Sequence, residues 1–417
     1  METPGFVAVT QALIAFSTWR ILRFRGRRRT AEVVALTLLA LALFFAITVE
    51  MQFRQQKREV LNSDLNIIQP LGRHLIVGYR KLDELGILVS RGAVGGIFIT
   101  HRNVRGQTAE QISADLRSLQ SLRKSQGLPP LMIATDQEGG IVSRLSPPLT
   151  TLPPLSSLTA VATPAEMEAQ AAAYGDIHGK ELAALGVTIN LSPIVDLKYS
   201  RRSNLLDTHS LIDKRAISDD PATVSRIALA YSRGLESHGV IPTLKHFPGM
   251  GRITADTHHF KAAVTASKDE LQVSDWVPFR YLIERSSAFM MLGHALVPDI
   301  DPKNPASCSS ALVQGIIRNE WKHEGVLITD DLTMGAIHGS ELGVCGAAVA
   351  ALNAGVDLLL VSYDDEKYFE AMHCVMQAKR AGKLNLELLR KSAMRLERTI
   401  INKPCSVSHN TADCDNS

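Results

Sequence analysis

Lys245 and His246 end an apolar run, Val240-Ile241-Pro242-Thr243-Leu244, and lead into Phe247-Pro248-Gly249-Met250-Gly251-Arg252-Ile253-Thr254-Ala255-Asp256-Thr257-His258. The run reads as a buried strand that delivers a lysine and a histidine. The proline and the two glycines make the next stretch a loop, and loops of this kind can move. At its far end Asp256 and His258 stand two residues apart, the combination that orients an imidazole and tunes its basicity for proton transfer. Other polar residues also come after apolar runs: Asp136 after 131–135, His294 at the end of 289–294, and Asp330 after Val326-Leu327-Ile328-Thr329. A carboxylate held rigidly at such a strand end, partly desolvated, suits a nucleophile. Asp331 competes for that role, but in a strand it points to the face opposite Asp330.

The elements that must position these groups alternate. Short apolar runs at 74–79, 96–100, 131–135, 187–195, 242–246, 289–294, 325–330 and 357–361 read as parallel strands buried on both faces. Helical patterns separate them at 109–126, 164–185, 222–238, 268–285, 310–324, 341–354 and 366–381. Thr163-Pro164 and Ser267 are helix starts and Gly382 a helix stop. Eight strands with intervening helices predict an α/β fold, a single (β/α)8 TIM-type barrel. In such a barrel the C-terminal ends of the strands share one rim, so Asp136, Lys245, His246, His294 and Asp330 converge there. No linker or repeat divides the region. The expected organisation is an N-terminal arm over 1–50, one catalytic domain over 51–402 and a polar, disordered tail over 403–417.

Three segments carry a resemblance. Lys245-His246-Phe247-Pro248-Gly249-x-Gly251-x4-Asp256-Thr257-His258, a motif too long to match readily by chance, resembles the signature of glycoside hydrolase family 3, and Asp136-Gln137-Glu138-Gly139-Gly140 with Arg144 and Ile328-Thr329-Asp330-Asp331-Leu332-Thr333-Met334 resemble two further family segments in the right order. The likeness is to its N-acetyl-β-glucosaminidase (NagZ-type) branch and runs from about His74 to about Arg395. The resemblance implies a two-step retaining mechanism, with Asp330 as nucleophile and His258, paired with Asp256, as acid/base in place of a second carboxylate. It implies that Asp136, Arg144, Arg215, Lys245 and His246 bind the sugar, Arg215 coming from Asp213-Lys214-Arg215-Ala216. It implies terminal N-acetylglucosamine from peptidoglycan-derived saccharides as substrate, and no cofactor or metal. Asn190-Leu191-Ser192-Pro193-Ile194-Val195-Asp196 matches another family segment, and Asp196 reads as an anchor behind the site. Water and phosphate both remain open as acceptor, and the natural aglycone is not specified.

The chain also departs from the family pattern. Ile141 stands where arginine is usual after the paired glycines, Met250 where histidine is usual, and Ala216-Ile217 where an aromatic is usual. Each change removes a polar or aromatic group beside the pocket. Two rival readings remain. His246, Asp256, His258, His259, His294 and Asp330 could build the metal site of a barrel hydrolase. The adjacent Lys245 opposes a cation there, and His259 reads more simply as a surface loop residue. Alternatively, the departures mark a membrane-tethered sugar-binding protein that has lost catalysis.

Composition narrows the partners. Among 417 residues 45% are hydrophobic and 21% charged, ordinary globular values, while aromatics at 5% do not suit a base-stacking surface, so no nucleic acid is expected. The net charge of +3 owes much to Arg20, Arg23, Arg25, Arg27, Arg28 and Arg29. These precede an apolar run over 33–49, broken by Thr37 and Thr48, that just spans a bilayer core. The expected reading is a single transmembrane anchor with the arginines cytoplasmic and the catalytic domain periplasmic. A cleaved signal peptide and a cytoplasmic enzyme starting at Met51 are the alternatives. Cys308, Cys345 and Cys374 stand among apolar or small residues and read as buried thiols. Cys405 and Cys414 lie in the polar tail, where a local disulfide forms if the domain is exported. Nothing in the sequence specifies the oligomeric state.

Overall fold

The computed structural model describes residues 27–160, 163–199, 210–253 and 262–401. The chain parts into two compact units, Met1–Asn62 and Ser63–Ser417. In the first, one helix runs over Arg27–Leu61. Its apolar side chains face outward, with Phe44 and Phe45 about as exposed as surface residues. The two hydroxyls of the apolar stretch turn back onto the helix, Thr37 Oγ1 donating to the Val33 carbonyl and Thr48 Oγ1 to that of Phe44, both at 2.8 Å. Neither therefore asks for water, as a lipid-facing surface requires. Among the described residues this is the helix long and apolar enough to cross a membrane. Its length and composition fit a membrane anchor or a signal sequence.

The second unit holds a closed barrel of eight parallel strands. They are β1 (Leu75–Val77), β2 (Gly96–Ile99), β3 (Met132–Thr135), β4 (Ile189–Asn190), β5 (Ile241–Phe247), β6 (Phe289–Leu292), β7 (Leu327–Asp331) and β8 (Leu358–Val361). Each strand pairs with the next, and β8 closes on β1 through Leu75↔Leu359 and Val77↔Val361. Alternate residues such as Leu358 and Leu360, Phe289 and Met291, and Val326 and Ile328 fill the barrel with Ile76, Phe98 and Ile189. The intervening residues are buried under the helices, which is why the strands are apolar runs rather than alternating patterns. All eight expected strands are present. The fourth is short because the chain meets Pro193, which lacks an N–H for the ladder, yet its continuation stays bonded to β5, Thr243 N donating to Ser192 O and Val195 N to Lys245 O, each at 2.9 Å.

The helices follow their caps. Thr163 accepts from Glu166 N ahead of Pro164–Leu185, and Asp220 from Ala222 N and Thr223 N ahead of Pro221–Glu236. These two helices touch closely. A Cβ at Gly175 would meet Tyr231 O at 2.2 Å, so only glycine fits there. The helical stretch expected over 268–285 is two helices, Lys268–Val273 and Trp276–Ile283. They part at Asp275, whose buried carboxylate accepts from Arg252 Nε at 2.7 Å and from Tyr199 Oη at 3.0 Å. One expectation is corrected. Cys345 and Cys374 are not free thiols but form a disulfide between helices Gly343–Ala354 and Lys367–Arg380, with Cα atoms 5.4 Å apart. The apolar neighbourhoods that suggest buried thiols reflect helix packing, which brings the two Cys together across 29 residues. Cys308 is a buried thiol, raised to about 12 by burial.

Candidate active site

A cavity of about 510 Å³ opens at the C-terminal ends of the strands. Asp136, Arg144, Arg215, Lys245, His246 and Asp330 all line it. Asp256, His258 and His259 lie outside the described residues, as do Cys405 and Cys414.

The polar wall of the cavity is built from β3, β5 and the short helix Ile212–Arg215. Lys245, almost fully buried, donates from Nζ to Asp136 Oδ1 and to Glu138 Oε1, each at 2.6 Å. Arg215 grips the same Glu138 with two parallel bonds, Nε to Oε2 at 3.0 Å and Nη2 to Oε1 at 2.6 Å. Two bases thus face two acids, and the cluster is neutral. Burial alone would raise the Glu138 pKa, but the Arg215 and Lys245 charges and their hydrogen bonds outweigh it and hold the carboxyl down at about 2. Burial likewise works against the charges of Lys245 and Arg215, and the facing carboxylates outweigh it, so both hold their protons more tightly than usual.

Glu138 stands inside the Asp136–Gly140 motif, yet sequence reasoning assigns it no role. The local signal is the neighbouring Gly139-Gly140. Gly139 has φ +93°, and a Cβ there would meet Tyr174 Oη at 1.7 Å. Only glycine allows the backbone to turn there, next to the carboxylate. The turn rests on a buried network in which Gln137 N donates to Asn190 Oδ1 at 2.9 Å and Asn190 Nδ2 to Tyr231 Oη at 2.9 Å. Arg144 is exposed at the mouth, and its backbone N–H donates to Asp136 O at 3.1 Å.

His246 lines the cavity beside Lys245, and the peptide joining them is cis. Its Nδ1 lies 2.7 Å from Asp196 Oδ2, and its backbone N–H donates to the same carboxylate. Asp196 is fully buried and also accepts from Met250 N at 2.8 Å, so it ties the strand end to the start of the loop. Met250 packs against Ile212 and Ala216, so two of the departures from the family pattern touch each other and form one apolar corner of the pocket. Ile141 and Ile217 line a second recess together, beside Arg215 and Glu138.

Asp330 and Asp331 differ sharply. Asp331 is buried, and its carboxylate accepts from Thr333 N, Thr333 Oγ1, Ser362 N, Ser362 Oγ and Tyr363 N. A carboxylate with that many donors is a tie between β7 and the end of β8. Asp330 is half-buried on the cavity wall and accepts from Asp331 N at 2.8 Å. His294 lies off the cavity wall, buried between Ser307 Oγ at 2.8 Å and the Asp331 carbonyl at 3.0 Å. Among the described residues no group of three or more His, Cys, Asp or Glu is placed to hold a metal ion.

The profile described as "Glycosyl hydrolase family 3 N terminal domain" matches residues 66–399. This chain belongs to glycosyl hydrolase family 3. A beta-hexosaminidase of Stenotrophomonas maltophilia is 35% identical over 286 residues, 68% of this chain and 80% of that protein. A family 3 β-N-acetylglucosaminidase structure from a Paenibacillus species superposes with a TM-score of 0.74 at 31% identity, covering 84% of this chain and 66% of that one. A family 3 glycosyl hydrolase structure from Mycobacterium smegmatis gives 0.71 at 29% identity, over 82% of this chain and 98% of that one. The family 3 chain is a glycoside hydrolase of the β-hexosaminidase kind.

Proposed function

We propose that this family 3 enzyme is a retaining exo-β-N-acetylglucosaminidase acting on terminal N-acetylglucosamine of peptidoglycan-derived saccharides. The observation that carries the reading is the position of Asp330, on the wall of the cavity that Asp136, Arg215 and Lys245 also line. In the first step an Asp330 oxygen forms a bond to the anomeric carbon while the glycosidic C–O bond breaks, and protonated His258 gives its proton to the departing oxygen. In the second step neutral His258 takes a proton from water, the water oxygen bonds to the anomeric carbon, and the ester to Asp330 breaks. Asp256 orients the imidazole and stabilises its cationic form. Asp136, Arg144, Arg215, Lys245 and His246 hold the sugar. Charged hydrogen bonds to hydroxyls near the reacting carbon strengthen as positive charge develops there, and so favour the transition state. Asp331 is the weaker candidate for nucleophile, because its oxygens are already occupied by donors from Thr333, Ser362 and Tyr363, which follow β7 and β8.

The same reading places the catalytic unit outside the cytoplasm, anchored by the helix Arg27–Leu61 with the arginines inside. The Cys345–Cys374 disulfide supports it, since such bonds persist in oxidising compartments. Assay of the full-length protein with a chromogenic N-acetyl-β-glucosaminide, with and without chelator, tests the activity. Turnover unaffected by chelator is expected. Chelator-sensitive turnover favours the metal hydrolase, and binding without turnover favours a sugar-binding protein.

A further inference from the structure

The side of the cavity contributed by the ends of β2, β7 and β8 adds aromatic and apolar side chains that the wall built by β3 and β5 lacks. Beside Asp330, Asp331, Thr333 and Ser362 it carries Phe98, Met334, Leu360 and Tyr363, with Thr100 and Arg102. Tyr363 is the feature that asks for an explanation. It is 78% exposed, a large aromatic ring left in water at the rim of the cavity. Yet its backbone is held at both ends. Its N–H donates to Asp331 Oδ2 at 2.8 Å, and its carbonyl accepts from Arg102 Nη1 at 2.9 Å. Arg102 Nη2 holds the preceding carbonyl, that of Ser362, at 2.6 Å. An exposed ring on a fixed backbone is a binding platform with little conformational freedom to lose. Asp331 in turn donates its backbone N–H to Asp330 Oδ1 at 2.8 Å, so two hydrogen bonds link Tyr363 to Asp330.

The size of the cavity agrees. At about 510 Å³ it falls in the range that takes a drug-sized ligand, more than one monosaccharide requires. The charged wall supplies donors and acceptors for the hydroxyls of one sugar. The opposite wall offers an aromatic face and apolar side chains, which suit the C–H face of a second pyranose ring.

We propose that Tyr363 is the stacking platform for the leaving-group sugar, the pyranose on the far side of the bond to be cleaved. This rests on the proposed glycosidase reading and deepens it. The platform acts on substrates with a sugar aglycone and is irrelevant to those without one.

The test uses the full chain in detergent and two substrates, a β-1,4-linked disaccharide of N-acetylglucosamine and β-N-acetylglucosaminyl fluoride, whose leaving group offers nothing to stack. Tyr363→Ala is expected to lose about five- to tenfold in kcat/KM on the disaccharide and no more than about twofold on the fluoride. Tyr363→Phe, which keeps the ring, is expected to retain the disaccharide rate. The fluoride rate also reports that the variant is folded. Equal losses on both substrates would show that the ring only supports the strand end carrying Asp330, and overturn the inference. So would an unchanged disaccharide rate in Tyr363→Ala. A wild-type protein that hydrolyses neither substrate overturns the glycosidase reading itself, and this inference with it.

Discussion

Arg215 and Glu138, 77 residues apart in sequence, meet in a bidentate ion pair with both side chains no more than 10% exposed. Removing the Glu138 charge leaves Arg215 buried without its bidentate partner and takes one of the two carboxylates from Lys245. Glu138→Gln is therefore expected to destabilise the domain by about 3 kcal/mol. The sign of the pH dependence is fixed by the same pair. The folded carboxyl is held at about 2, below its ordinary 4.5, so the stability it contributes is full above about 4.5 and is lost as pH falls toward 2. Thermal denaturation between pH 6 and 3 should show a fall in the wild type that is shallower in Glu138→Gln. Parallel curves would contradict the pairing as the source.

Asp330→Asn is expected to fold normally and to lose turnover by roughly a thousandfold or more, because an amide cannot form the glycosyl ester. A 2-fluoro or 5-fluoro glycosyl inactivator should leave its label on Asp330 in the wild-type peptide map. A label on Asp331 would reverse the assignment.

His258→Ala should slow substrates with poor leaving groups by about a hundredfold or more, and activated aryl glycosides far less, since only the former need a full proton donation. Asp256→Asn should show the same split more mildly. Equal losses on both substrate types would remove the acid role from His258.

How legible the site is depends on the kind of signal. The eight strands can be read because each is buried on both faces and so leaves an unbroken apolar run, as in 357–361. Asp136, Lys245, His246 and Asp330 can be read because they stand where those runs stop. Helices Leu65–Gly72 and Leu82–Ser90 escape sequence reading because they are short, and Leu386–Ile401 escapes it although Asn385 caps its start, accepting from Leu388 N at 3.1 Å. Long-range pairings are invisible. Nothing local says that Arg215 meets Glu138, or that Cys345 meets Cys374. Asp256 and His258 are plain in the sequence and lie outside the described residues.

Replacing both Cys345 and Cys374 by serine is expected to cost about 3–4 kcal/mol, the loop-closure entropy of a cross-link spanning 29 residues. Urea denaturation of wild type and double variant measures it. Thiol titration of the unreduced, denatured wild type should also find neither of these two cysteines reactive. Reactive thiols at both positions in protein isolated without reductant would argue for a reducing compartment.

A reporter active only in the periplasm, fused after residue 417, should be active, because the arginines before the apolar run 33–49 favour the cytoplasmic side. Removing residues 1–50 should release a soluble, active enzyme, since no site residue lies there. Full-length protein found in the soluble fraction with an inactive reporter would exclude the anchor.

The pairing of β1 with β8 ties Leu75 to Leu359 and Val77 to Val361. The first strand made therefore waits for the last before its hydrogen bonds are complete. The barrel cannot close until Val361 has left the ribosome, about 300 residues after the helix Arg27–Leu61 has emerged. If that helix engages the export machinery first, the strands cross the membrane one by one with open edges. Translocation then needs no unfolding step, and the folded barrel first exists beyond the membrane.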